Sequence, residues 1–413
     1  MRSATNSTSQ EPGPPTPADL LLSVAGQDLL ARLAGLAGED AGPDRALALG
    51  TRLRREFPPE LVAATLAQRE LRAAAAAKFS LADRMLFTRD GLEQASSEAT
   101  ARHAAARFAG LATVADLCCG IGGNLIALAE ADGRRRVVAV DADPASLAFA
   151  RHNVARCAPG AEAGYVRADV RALPLRGVDA AFVDPARRAG QRRLPPGEYR
   201  PALAWCLDLA ATIPHVAIKA APGLDRGLVP PGWEAEFVAV GRDLKEALLW
   251  SPAFASGAGR SRATVLPSGD TLLSSATDRG APVPPPPLAE PGAYLLDPNP
   301  AITRAGLVAD LARRAGAWQI DPMIAFLSCD EPVTTPFART LRVLHSAPWH
   351  ERRFAIRLRE LGVGSADIRR RGLAGDVEQI RRRLRLAGPG AATIVLTRVS
   401  DRPWGLICVP VTD

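Results

Sequence analysis

Residues Asp116 to Asn124 read Asp-Leu-Cys-Cys-Gly-Ile-Gly-Gly-Asn, between an apolar stretch at Leu111–Val114 and a helix-prone run at Leu125–Ala131. Strand, glycine-dense turn and helix start, in that order, confine this part of the chain to the strand-turn-helix unit of a parallel α/β sheet. Glycine at 120, 122 and 123 lets the backbone pass close to a ligand with no Cβ in the way, and the following helix offers unpaired N–H groups. Twenty-one residues beyond Gly120 the strand-like Arg136–Val140 ends in Asp141 and Ala142, where a carboxylate can accept from both hydroxyls of a ribose.

The surrounding residues narrow the ligand. Asp116 precedes the first glycine by four residues, from where it can meet a cationic amino group; a dinucleotide turn, which must face a pyrophosphate, rarely carries an acid there. The glycine spacing is also not Gly-x-Gly-x-x-Gly, which opposes a NAD-dependent dehydrogenase. Asp143-Pro144 reads as an N-cap acid with proline in the first turn, and Leu147, Ala150 and Val154 mark the inner face of the helix that follows. Another strand, Gly164–Arg167, leads to Asp169, placed to accept from an adenine amino group, and Val170. Together these point to S-adenosylmethionine, and the expected cofactor-binding set is Asp116, Cys118, Gly120, Gly122, Gly123, Asp141, Ala142, Asp169, Val170 and Asp184.

After the apolar strand Val178–Val183 comes Asp184-Pro185-Ala186-Arg187-Arg188. With the motifs in this order, residues 90–270 resemble the class I S-adenosylmethionine-dependent methyltransferases, whose reactive loop lies at that place. Four segments narrow the likeness: Phe87–Glu98, the Asp-Pro-Ala-Arg-Arg loop, Ile218–Gly223 and Leu244–Trp250. They look like those of a bacterial methyltransferase group with a C-terminal THUMP-like domain, for which RNA is the usual substrate guess. The Gly-Ile-Gly-Gly-Asn turn with Asp141–Pro144 is also similar to the trimethylguanosine synthases, but those enzymes have Pro-Pro-Trp where this chain has Pro185-Ala186-Arg187. The 5-methyluridine enzymes need a nucleophilic cysteine after the next strand, and here that place holds Lys219-Ala220-Ala221, which disfavours a covalent adduct on pyrimidine carbon.

The 413 residues can hold two or three domains. Residues 1–17 read as a disordered tail without the apolar core of a signal peptide, and no run of about eighteen apolar residues occurs, so the expectation is a soluble, cytoplasmic protein. Residues 18–110 alternate apolar and charged positions at helical spacing and read as an N-terminal helical domain. Residues 111–275 alternate strands and helices and predict a Rossmann-like, doubly wound methyltransferase sheet, finished by an antiparallel pair around Ala235–Val240 and Ala263–Leu266. Residues 276–291, with six prolines from Pro282 to Pro291, predict a stiff linker. Residues 292–413 predict a THUMP-like α+β domain, reading β-α-β-α-β-β from Thr340 to Val409. The six cysteines and five histidines show no metal spacing, so no metal is expected; Cys118 and Cys119 read as small residues packing a corner.

The formal charge is +7, and lysine occurs only at 78, 219 and 245. Abundant Ala, Arg, Gly and Pro suggest a high-GC genome, so charge alone says little about nucleic acid. Its distribution says more: from Arg339 to Arg385 thirteen arginines face five acids, with runs at Arg369–Arg371 and Arg381–Arg383. Such a cluster suits RNA phosphate; the competing reading is a solvated helix face opposite Val377, Ile380 and Leu384.

Three functions stay open: RNA methylation, with tRNA or rRNA as substrate; small-molecule methylation, with the C-terminal domain serving oligomerisation; and non-catalytic RNA binding. The catalytic candidates are Asp184 to orient the acceptor, Pro185 to fix its turn, and Lys219 at the end of the fifth strand, which could equally be an ion-pair partner of Asp184. Expected substrate contacts are Glu93, Gln94, Arg187, Arg188, Arg369, Arg370 and Arg371. Around Glu93 the alternative is a helix entry with Ser96 or Ser97 as N-cap.

Overall fold

The computed structural model describes residues 14–35, 43–189, 192–193, 195, 198–255, 260–275, 284–373 and 375–411. Residues 1–13 of the expected tail and 276–283 of the expected linker lie outside that set. The chain forms two compact units, residues 1–186 with 211–213, and 187–210 with 214–413.

The first unit begins with α1 (Pro17–Leu22), α2 (Val24–Gly35), α3 (Pro43–Leu53) and α4 (Pro59–Ala75). Leu29, Leu33, Leu49, Leu53, Leu61 and Val62 form a core of their own among these helices. Two shorter helices follow, α5 (Arg89–Gln94) and α6 (Glu98–Ala106), then β1 (Thr113–Leu117), α7 (Gly123–Glu130), β2 (Arg136–Asp141), α8 (Pro144–Cys157), β3 (Glu162–Arg167) and β4 (Ala180–Val183). The strands are parallel in the order β4-β1-β2-β3. From β1 the chain steps outward to β2 and β3, then returns to pair β4 on the other flank of β1. That reversal opens a crevice at the carboxyl end of β1, where open parallel sheets bind ligands.

The helical domain expected over 18–110 is not a separate body. Arg135, 1% exposed, donates to Leu111 O (3.3 Å), Leu128 O (2.8 Å) and Phe108 O (2.6 Å), so one buried guanidinium closes the ends of α6 and α7 onto the sheet. The segment between α4 and α5 is held like an extra strand by two amide side chains. Gln68 of α4 accepts from Phe87 N–H (3.0 Å) and donates to Phe87 O. Asn153 of α8 accepts from Leu86 N–H (2.7 Å) and donates to Leu86 O and Ile121 O (both 2.9 Å).

In the second unit β5 (Arg188–Ala189), β6 (Arg192–Arg193) and α9 (Leu203–Asp208) precede β7 (His215–Ala220), β8 (Glu234–Val240), β9 (Asp243–Trp250), β10 (Ser261–Leu266) and β11 (Asp270–Leu273). The last five run in the order β11-β10-β8-β9-β7. Here the antiparallel pair expected between 235–240 and 263–266 is wrong: β8 and β10 are parallel neighbours. The antiparallel partner of β8 is β9, which also pairs antiparallel with β7. A short hairpin at Gly241 sends β9 back along β8, and β10 must then cross to the free edge of β8 in the same direction. Buried acids fix the arrangement: Glu234 pairs with Arg262 at 2.7 Å, and Glu236 accepts from the Trp250 indole at 2.9 Å.

The remaining elements are β12 (Tyr294–Pro298), α10 (Pro300–Ala305), α11 (Val308–Ala315), β13 (Trp318–Asp321), β14 (Ile324–Cys329), β15 (Ala338–Pro348), α12 (Glu351–Glu360), β16 (Val363–Arg370), α13 (Val377–Leu384), β17 (Gly390–Val399) and β18 (Arg402–Pro410). Their sheet has the order β13-β14-β12-β15-β18-β17-β16, and from β15 onward the elements follow the expected β-α-β-α-β-β succession. Helices α12 and α13 cover one face through Phe354, Leu358 and Leu384, while Leu295, Phe326, Val395 and Leu406 belong to a second core.

The expected linker does not separate independent bodies, since residues on both sides of it share the second unit. Its described part lies along β13, with Gln319 N–H donating to Pro287 O (2.8 Å) and the Trp318 indole to Glu290 O (2.9 Å). Asn299 donates to Gly241 O at 2.7 Å, and Arg242 reaches Asp297 at 2.8 Å, so the β8–β9 turn is fastened to β12.

Asn153→Ala leaves Leu86 N–H and two carbonyls without their partner inside the first unit. The expected loss is about 1–3 kcal/mol, the usual cost of stranding buried polar groups. Urea unfolding of the variant against the parent chain measures it, and an unchanged midpoint would show that the amide clamp is not needed.

Candidate functional site

The glycine turn leaves β1 through backbone conformations that side chains resist. Cys118 (φ +62°), Gly120 (+54°) and Gly122 (+85°) all take positive φ. At Gly122 a Cβ would also stand 3.1 Å from the Cα of Ala150 on α8, so both strain and space demand glycine there. A Cβ on Gly120 would meet nothing within 4 Å: its backbone borders open space, as a cradle for a ligand requires. Gly123 begins α7 with ordinary helical backbone and only loose neighbours, so its glycine is not forced by conformation. Cys118, expected both in the cofactor-binding set and as a small residue packing a corner, takes a left-handed conformation that could not be read from its identity.

Asp141 ties the turn to the next helix. One carboxylate oxygen accepts from Gly120 N–H (2.8 Å) and the other from Asp143 N–H (2.9 Å). Asp143 in turn accepts from Ser146 N–H (2.9 Å) as the N-cap of α8, with Pro144 in its first turn. The two Asp141 oxygens keep acceptor capacity beyond these backbone donors, which fits a ribose diol. Burial raises the Asp141 pKa above the ordinary aspartate value, partly countered by the backbone N–H groups of Asp143, Gly120 and Ala142. A carboxyl whose pKa rises on folding holds its proton more tightly in the native state, so its ionisation subtracts stability as pH climbs through that value. Hydroxyl donors from a ligand would offset this cost.

Asp116, the fourth residue of β1, is fully buried beneath the turn. Burial, with Asp116 and Asp141 nearby, pushes the Cys119 thiol far above its usual pKa, so this cysteine is an inert packing group. Ala142 is exposed beside Asp141. Asp169 is engaged differently from expectation: it caps a short 3₁₀ turn at Val170–Ala172, and the Arg171 guanidinium grips it at 2.6–3.2 Å. Those hydrogen bonds hold its pKa near 2, so it stays ionised at working pH, and an adenine amino group would have to share it with Arg171. Val170 is buried behind it.

At the end of β4, Asp184 donates its N–H to Leu117 O (3.1 Å), which sets it beside Cys118 at the mouth of the crevice; Pro185 is buried and Asp184 half-buried. Asp116, Cys118, Gly120–Gly123, Asp141, Asp169 and Asp184 thus gather at one edge of the parallel sheet in the first unit. Arg187 and Lys219 belong to the second unit. Lys219 is 4% exposed within β7, so it is a buried cation and not one offered to solvent. The side chain of Arg188 lies outside the described set.

The segment carrying Glu93 and Gln94 lies against the turn, and of its two sequence readings the helix entry is the one observed. It is a helix entry, with Thr88 capping α5 and Ser97 capping α6. It also meets the glycine turn: a Cβ on Gly91 would come 2.6 Å from the Ile121 side chain. Lys78, not anticipated from the sequence, closes α5 by donating to Leu92 O (2.7 Å), Glu93 O and Ala95 O (both 3.1 Å). Glu93 is exposed and Gln94 half-buried at this end.

Arg369 and Arg371 are not the free surface cations that the charge run suggested. Both pair with buried Asp297, and the Arg371 guanidinium stacks 4.8 Å over Phe326. Arg370, on the opposite face of β16, donates to Gly375 O. Among the described residues no three His, Cys, Asp or Glu side chains are grouped to hold a metal, and no helix is long and apolar enough to cross a membrane.

Residues 114–186 match the methyltransferase-domain family, residues 338–410 the THUMP-domain-like family, and residues 17–75 a domain of unknown function. Two relatives from Mycobacterium tuberculosis, strains CDC 1551 / Oshkosh and ATCC 25618 / H37Rv, are named as uncharacterised S-adenosylmethionine-dependent methyltransferases; each is 39% identical over 318 residues, 76% of this chain and 85% of the relative. A solved methyltransferase structure from Porphyromonas gingivalis W83 superposes with a TM-score of 0.76 at 22% identity, covering 93% of this chain and 98% of its own. It shares the fold: a Rossmann-like α/β methyltransferase sheet, with helices before it and the THUMP-like module after it.

Two substitutions test the site. Asp141→Ala should weaken S-adenosylmethionine binding by about 1–3 kcal/mol in calorimetry, by leaving the ribose donors unpaired; for the parent chain, affinity should fall as pH drops through the raised Asp141 pKa. Unchanged affinity in the variant would remove Asp141 from the site. Gly122→Ala should cost about 1–2 kcal/mol of stability from the left-handed backbone alone, and more from Ala150; a thermal melt identical to that of the parent would refute the conformational requirement.

Proposed function

Because the chain belongs to the S-adenosylmethionine-dependent methyltransferases, we propose that it transfers the methyl group to RNA, to a base of tRNA or rRNA. The observation that carries this reading is the THUMP-domain-like match over residues 338–410, which spans all thirteen arginines between 339 and 385. Guanidinium groups at that density supply phosphate affinity independent of sequence. The proposed setting is the cytoplasm.

S-Adenosylmethionine supplies a methyl carbon already made electrophilic by its sulfonium. The residues around the crevice fit that ligand: open space beside Gly120, spare acceptor capacity on Asp141 and the buried carboxylate of Asp116 beneath the turn. In this reading Asp141 holds the ribose, Asp116 faces the amino group, and Asp169 with Val170 borders the adenine. What remains for the protein is to hold an acceptor in line and accommodate its proton. Asp184, half-buried at the end of β4, is the proposed group for that task, with Pro185 fixing its backbone. Glu93 and Gln94, held over the turn through Lys78 and Gly91, are the proposed near wall for the target base. Arg187 follows on the chain, where base methyltransferases often carry an aromatic ring. Lys219, buried in β7 of the second unit, remains a proposed catalytic residue.

If Asp184 acts in the transition state, Asp184→Asn should lower single-turnover methyl transfer to total cellular RNA by roughly 10²–10⁴ while cofactor affinity and melting temperature stay nearly unchanged. A purely structural Asp184 would instead show falling stability and cofactor binding together. Label from methyl-tritiated cofactor that enters no RNA fraction, yet enters a small-molecule extract, would overturn the RNA reading.

A further inference from the structure

Four arginines converge on one buried carboxylate in the second unit. Asp297, near the end of β12, is 2% exposed and pairs with Arg242 at 2.8 Å, with Arg371 at 3.1 Å and with Arg369. Arg339 stands directly opposite Asp297 in the antiparallel register of β12 and β15. These arginines come from three separate pieces of chain: the β8–β9 turn, β15 and the end of β16. Arg371, which follows the edge strand β16, stacks on Phe326 of β14, almost at the other edge of the same sheet. The sheet is therefore curled, and the arginines gather where its two edges approach.

The charges there do not balance. Arg369 also reaches Asp367 at 2.9 Å, so four guanidinium groups face two carboxylates. Burial lowers the Arg242 pKa, Asp297 pulls it back up, and Arg339, Arg369 and Arg371 press it down again, as expected for cations crowded beyond their counter-charge. Fastening the β8–β9 turn to β12 needs one arginine on Asp297 and leaves the surplus unaccounted for. The side chains of Arg242, Arg369 and Arg371 keep 33%, 23% and 33% of their surface open, so a ligand can reach them. Planar donor forks, held rigid by a shared carboxylate and by ring stacking and carrying excess positive charge, are what a phosphate group selects.

We infer that the arginine cluster around Asp297 seats a phosphate group. On the RNA reading, from which the inference takes its ligand, the source is the RNA backbone.

The test uses the full chain with two probes, inorganic phosphate and a short single-stranded RNA, and compares the parent with Arg339→Gln and Arg54→Gln. Arg339→Gln removes one cation and leaves the three pairs on Asp297 in place, and its melting curve verifies the fold. Arg54→Gln removes the same charge from an exposed position in the first unit, outside the basic module. The expected result is at least a fivefold loss of phosphate affinity in Arg339→Gln only, with a drop of about 1 in the slope of log RNA affinity against log salt. RNA affinity and slope unchanged in Arg339→Gln while the parent binds RNA would overturn the seat and spare the RNA reading. Equal losses in both variants would overturn it too, by reducing it to general charge. Phosphate binding that is lost in Arg339→Gln, in a parent chain that binds no RNA, would uphold the seat with free phosphate as its source and overturn the RNA reading.

Discussion

The methyltransferase half of this protein depends on one carboxylate. Asp141 takes a backbone N–H of the glycine turn on one oxygen and a backbone N–H of the next helix cap on the other. It thereby fixes a turn whose residues at 118, 120 and 122 all carry positive φ, and does so while partly buried against the rise in its own pKa. That tension is of the kind binding sites store: a strained turn and a costly buried charge persist because the surrounding sheet and α8 over-determine them. A ligand that donates hydroxyls to Asp141 relieves part of the cost, which links fold stability to cofactor occupancy.

Around this centre the N-terminal helices are part of the site's construction. Gln68 and Asn153 grip residues 86 and 87 from both sides, and Asn153 also holds the carbonyl of Ile121 inside the glycine turn. The same turn residue packs against Gly91. The chain from Lys78 to Ser97 is thus laid over the cofactor turn by amide, ammonium and glycine contacts, and carries Glu93 and Gln94 with it.

The glycine turn, the N-cap Asp143-Pro144, the parallel strands and the β-α-β-α-β-β succession near the C-terminus were legible because each is a local rule: a conformation only glycine adopts cheaply, a cap, a period. What was not legible depends on distant partners. No spacing announces that Asn153 will serve Leu86, or that Lys78 will close α5. Leu244–Trp250 stood out in the sequence only as a segment of family likeness, and nothing in it announced a strand that pairs between β7 and β8 and so makes β10 parallel to β8. The run Arg369–Arg371 looked like exposed charge because its counter-ion, Asp297, lies 72 residues away. In the sequence a free basic run and an ion-paired one are the same letters.

RNA as the methyl acceptor is the central claim, and the most direct measurement is a mass-spectrometric comparison of nucleosides in tRNA and rRNA from cells with and without the gene. The account predicts one methylated nucleoside present in the parent, absent from the deletion, and restored by the wild-type gene but not by Asp184→Asn. Identical nucleoside profiles in all RNA fractions of both strains would contradict it.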